Sequence, residues 1–130
     1  MSAKQRKGEA LSKKFRIDGF SQMKFFWEIV IDGEITIGLA PAHIAVYFFL
    51  FNQGNSLRWI NWISLPRESI MHGARIKDKK TFYKIIHDLE TFGFIQIRKG
   101  VANKIAAQYK IIKLSIPFNP PNLPSNPTTN

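Results

Sequence analysis

Eight consecutive apolar residues, Ile44-Ala45-Val46-Tyr47-Phe48-Phe49-Leu50-Phe51, constrain this chain more than any other feature. The run is far short of the roughly 20 residues that span a bilayer. As a helix it is apolar all round, and such a helix must be covered from more than one side. Ala40-Pro41 opens it, because proline at the first helical position gives up only an N–H that has no partner there. Gly54 supplies a stop, so the helix should run from Pro41 to about Gln53. It is either the central core helix or a core helix that also forms a dimer interface. If Val46, Phe49 or Leu50 faces outward, two copies can bury it in a homodimer.

With 130 residues there is room for one core and not comfortably for two. No cysteine is present, so neither disulfides nor a cysteine-bound zinc staple the fold. Residues 1–16 are poor in apolar side chains and read as a flexible basic arm. Pro117, Pro120, Pro121, Pro124 and Pro127 deny residues 117–130 a helix or central strand, which leaves an extended Pro/Asn-rich tail. The folded domain is expected over residues 17–116. Met1–Lys14 has no apolar stretch behind its charges, so no targeting signal is read, and the expectation is a soluble, cytoplasmic protein.

The formal charge of +10 is unevenly spread. Residues 1–16 hold six Lys/Arg against one Glu, net +5, and residues 17–65 hold two against four acids, net −2. From residue 66 onward, eleven Lys/Arg face four acids, net +7. A polyanionic partner is the natural inference.

Two readings stay open for residues 20–38. Lys24, Glu28 and Asp32 recur every four residues, with Ser21 as a cap and Gly33 as a stop, which favours a helix. Yet Ile29–Ile37 is a β-branched run around Asp32-Gly33, a strong hairpin signal.

Further on, Ser64 caps a short helix with Pro66 in its first turn and Glu68 near its positive end; it stops at Gly73. After the turn Gly73-Ala74-Arg75-Ile76, Asp78 caps a second helix, Lys79–Phe92, which Gly93 ends. Phe82, Ile85, Ile86, Leu89 and Phe92 form its buried face. Lys79, Lys80, Tyr83, Lys84, His87 and Thr91 fall opposite. Two short helices joined by a tight turn match a helix-turn-helix. Lysines can meet phosphates or guanine edges, Thr81 and Tyr83 can bond phosphate oxygens, and His87 can donate or accept. A merely solvated charged face has the same composition. The alternating Phe94–Arg98, a loop at Lys99–Lys104, and Gln108–Ile116 then read as a β-hairpin. Its basic tip, with Arg98, Lys99 and Lys104, could touch a DNA backbone or enter the minor groove, and the alternative is a hairpin that merely completes the core.

The stretch Asp78–Ile95 resembles the recognition helix and first wing strand of bacterial winged-helix regulators, and Pro41–Ile116 is similar to winged-helix domains of replication initiators and mobile-element regulators. The resemblance implies an α+β winged helix-turn-helix, mainly α with a small antiparallel wing, in which Trp62-Ile63-Ser64 supplies a short first strand. It implies sequence-specific double-stranded DNA binding in transcription regulation, replication or maintenance, by Lys79, Lys80, Thr81, Tyr83, Lys84, His87 and the wing. Lys84 stands where many relatives carry arginine, which argues against bidentate guanine reading there.

Catalysis has little support. His43, His72 and His87 lack metal-ligand spacing, and no phosphate-binding glycine loop or Gly-x-Ser-x-Gly occurs. No cofactor, metal or small-molecule ligand is expected. The competing reading is a winged-helix protein–protein interaction module in a nucleoprotein assembly. It would use the aromatic Tyr47–Phe51 stretch with Trp59 and Trp62, although core packing accounts for most of those side chains.

Overall fold

A computed structural model of the chain describes residues 17–59, 62–101 and 105–118. The basic arm, Lys104 and the tail beyond Phe118 lie outside the described residues. Helices α1 (Gly19–Asp32) and α2 (Pro41–Ser56) come first, then strand β1 (Ile63–Ser64). Helices α3 (Arg67–Ala74) and α4 (Lys79–Phe92) follow, and strands β2 (Ile95–Arg98) and β3 (Gln108–Ile111) close the domain. Over the described residues the chain is thus α+β, with four helices and a three-stranded antiparallel sheet of order β1-β3-β2. Among the described residues no helix is long and apolar enough to cross a membrane.

The ambiguous segment is a helix, but Ser21 is not its cap. Asp18 accepts from both the Ser21 N–H (3.2 Å) and the Ser21 hydroxyl (2.6 Å). Asp32-Gly33 ends the helix instead of turning a hairpin, with Gly33 left-handed at φ 74°. Tertiary packing decides between the two periods. Helical spacing puts Gln22, Phe26 and Ile29 on one buried face, and Phe26 stacks on Tyr47 of α2 with ring centres 4.3 Å apart.

This docking answers the expectation about α2. Val46 and Leu50 are fully buried, and Phe49 lies over Gly73 of α3, where any Cβ would meet its ring. None of the three is a free outward face, because α1 and α3 cover the helix within one chain. α2 also runs past Gly54 to Ser56. Gly54 is needed for contact, not termination: a Cβ there would come 2.7 Å from the Trp59 ring, which packs edge-on against Phe51.

Gln22 ties α1 to the end of the sheet. Its Nε2 donates to the Tyr47 hydroxyl (3.0 Å) and the Ile112 carbonyl (2.8 Å), and its Oε1 accepts from the Leu114 N–H (2.9 Å). β3 therefore stops at Ile111, short of the expected Ile116. Its partner strand is exhausted at Ile95, opposite Ile111, and the chain then follows α1. Phe118 stacks on Phe94 at 5.7 Å, so ordered packing extends beyond residue 116.

Ser64 is a strand residue paired with Gln108, not a helix cap. Pro66 occupies the cap position of α3 and Arg67 begins the helix. The helix also passes Gly73 to Ala74, and Arg75 takes the left-handed stop conformation (φ 59°). The limits of α4 are those read from the sequence: Asp78 accepts from the Thr81 N–H at 2.9 Å, and Gly93 is left-handed at φ 91°. Phe82, Ile85, Ile86 and Leu89 are buried as expected, while Phe92 is half-buried.

Candidate nucleic-acid interface

α3, the turn Arg75–Asp78 and α4 form a continuous corner, with the β2–β3 hairpin beside α4. On α4, Lys79, Lys80, Thr81, Tyr83, Lys84 and His87 are all exposed. They are fixed there by the opposite, core-facing row. Arg98 and Lys99 are exposed where β2 ends.

The first turn of α4 holds two lysines and no acid. That is electrostatically wrong for an isolated helix, whose N-terminus is already positive. Asp78 offsets it: hydrogen bonds from the Thr81 N–H and hydroxyl hold its carboxyl below the ordinary aspartate value, so it stays ionised as the cap. The other two acids of α4 also serve the fold. Glu90 accepts from the Ile97 N–H (3.1 Å) and so anchors β2. Asp88 accepts from His43 Nε2 (2.8 Å) and from Lys84 Nζ (3.0 Å). Burial works against the charge of Asp88, but the His43 and Lys84 hydrogen bonds outweigh it and hold its pKa low.

His43 is a structural residue. Its Nδ1 accepts from the Ala40 N–H (2.9 Å) at the start of α2. The other nitrogen therefore carries the proton it gives to Asp88. The histidine links the first turn of α2 to the middle of α4. Among the described residues no group of three His, Asp or Glu side chains could hold a metal.

The expected contact residues are not equivalent. Lys80 and Lys99 make no ion pair among the described residues. Lys84 lies along its helix toward Asp88. The Thr81 hydroxyl donates to Asp78 at 2.8 Å, so its proton is committed to the cap. Arg98 turns to the outer face of the sheet, 4.1 Å from the Trp62 ring centre and 3.2 Å from Gln108 Oε1. Trp62 is correspondingly covered by Arg98, and Trp59 by the end of α2, so neither is a free aromatic platform.

Arg67 was not legible as a site residue. Its Nη1 donates to the Tyr83 hydroxyl at 2.6 Å, and its Nη2 bonds Glu68 at 2.8 Å. Tyr83 accepts with its oxygen, which leaves its own proton for an external acceptor. No local signal marks Arg67, since the pair spans sixteen residues and depends on the angle between α3 and α4.

Tyr83 divides two clefts. One, of about 710 Å³, lies between α4 and the hairpin and includes Lys84, His87, Lys99, Gly100 and Tyr109 in its walls. The other, of about 630 Å³, lies between the start of α3 and the hairpin and includes Arg67, Val101 and Ile105. The exposed helix face and the hairpin base thus enclose a grooved surface on which lysines and Arg67 outnumber the two acids in the cleft walls, Glu68 and Glu90. No family, no curated protein and no solved structure matches this chain in comparison.

Proposed function

We propose that the chain is a winged helix-turn-helix protein that binds double-stranded DNA sequence-specifically. α4 lies in the major groove and the β2–β3 hairpin acts as the wing. The observation that carries this reading is the first turn of α4. Two lysines beside the positive end of a helix cost stability in isolation and gain it against phosphate. Every carboxylate on that helix is meanwhile engaged in capping or anchoring. Lys80 and Tyr83 lie near the end of the helix that reaches base edges in such docking, while Lys99 lies at the wing and meets phosphate.

The test begins with selection of bound duplexes from random DNA. About five neutralised phosphates give a log–log salt slope near −4 to −5. Lys80→Ala and Tyr83→Phe should weaken the selected site more than random DNA, by about 1–3 kcal/mol where a base contact is lost. Lys99→Ala should weaken both alike. Tyr83→Phe keeps the ring that walls both clefts and removes only the hydroxyl. Intact folding with an unchanged ratio of specific to random binding in both α4 variants would refute α4 as the reader, and absence of binding at low salt would refute DNA altogether.

A further inference from the structure

The α1 helix has two apolar faces, and among the described residues only one is covered. Gln22, Phe26 and Ile29 dock on α2 and the sheet end. At about 100° per residue, Phe20, Met23, Trp27 and Ile31 fall in an arc of about 80° on another side. They are 78%, 42%, 38% and 80% exposed. Trp27 is steadied by Phe48, whose ring lies 6.0 Å away and nearly parallel. Scattered exposed apolar residues need no explanation, but a continuous row along the whole helix marks an interface.

We propose that this row is the contact surface for a second copy of the chain, with the two α1 helices antiparallel across a two-fold axis near residues 25 and 26. The charges bordering the row favour this occupant. Lys24 lies on its edge in the N-terminal half, and Glu28 and Asp32 lie beyond it in the C-terminal half. Antiparallel pairing sets Phe20 opposite Ile31 of the other copy and Met23 close to Trp27, a favourable sulfur–aromatic contact. It also brings Lys24 of each copy to Glu28 of the other, so the ion pair occurs twice, as an isologous interface requires. Nucleic acid does not fit the row, because residues 17–65 carry a net −2.

The helix is only about 21 Å long at 1.5 Å per residue. The contact therefore sits at the small end of protein interfaces, and weak association, on the order of micromolar, is expected of it. This differs from a dimer through Val46, Phe49 or Leu50, which the packing of α2 precludes. If the chain binds DNA as proposed, a two-fold dimer selects inverted half-sites; the mass measurement below does not depend on that.

Sedimentation equilibrium of the full chain, without DNA, is the test. The mass should rise from 15.0 kDa toward twice that value across the micromolar range. Phe20→Glu and Ile31→Glu should each hold the chain monomeric with unchanged thermal unfolding, since both side chains are exposed in one copy. Lys24→Glu and Glu28→Lys should each weaken association by several-fold, and the double reversal should restore it. A monomer at tens of micromolar overturns the proposal. So does association that persists in both Glu variants, or a double reversal no better than the single ones. If deleting residues 1–14 turns a monomer into a dimer, the arm and not a second copy occupies the row in the full chain, which equally overturns it.

Discussion

Replacing Gln22 with Met removes three hydrogen bonds while nearly preserving volume. The side chain is 2% exposed. Its loss strands the Leu114 N–H, the Tyr47 hydroxyl and the Ile112 carbonyl, which is less deeply buried. A buried group left without a partner costs about 1–3 kcal/mol. Two such groups give about 2–6 kcal/mol, with water able to serve the third. Burial of the thioether returns about 1–2 kcal/mol, so the expected net loss is about 1–4 kcal/mol. Against a total of about 5–15 kcal/mol for a domain of this kind, that is a large fraction. Tyr47→Phe is the control. It strands nothing completely, because Gln22 Nε2 keeps Ile112, and should cost about 1 kcal/mol. Urea unfolding followed by circular dichroism measures both, with the slope expected to stay constant. In the double variant the two losses should not add, because the hydroxyl and its donor leave together. A Gln22→Met chain within about 0.5 kcal/mol of the parent would refute the view that this network attaches α1 to the rest of the domain.

Two further perturbations probe the frame behind the basic surface. Gly73→Ala should lower stability by about 1–3 kcal/mol, although alanine favours helices, because its Cβ meets the Phe49 ring; denaturant midpoints check this, and Phe49→Leu in the same chain should recover part of the loss. Asp88→Asn should show a pH signature. The folded pKa of Asp88 lies below its ordinary value, so its charge contributes stability above about pH 4 that is lost as pH falls through the lower folded value. The gap between parent and variant in urea melts should therefore shrink with acid, and a gap that widens contradicts the assigned hydrogen bonds.

Much of α4 was legible because its signals are local. Asp78 and Gly93 act on backbone groups within a turn of themselves, and the row Phe82, Ile85, Ile86, Leu89 is a spacing visible in the chain. The exposed positions Lys80, Tyr83 and His87 follow from that row by geometry. What those side chains do was not legible. Thr81 gives its proton to Asp78, Lys84 turns to Asp88, Arg98 lies on Trp62, and Arg67 reaches Tyr83. Each depends on which neighbour sits within about 3–4 Å, and long polar side chains have several candidates.

The deeper limit shows in segments with two valid local readings. Residues 29–37 satisfy both a helix and a hairpin, and Ser64 is an acceptable cap as well as a strand residue. Their free energies as isolated pieces differ by little, since short elements are marginal in water. Burial of Phe26 against Tyr47, and the pairing of Ser64 with Gln108, supply the difference. The sequence alone therefore determined the elements whose caps and apolar spacing agree: the limits of α4, its exposed face, and the need to cover α2 on several sides. Only the tertiary structure decided what covers α2 and which face of α1 is left outside, because those outcomes compare contacts between residues far apart in the chain.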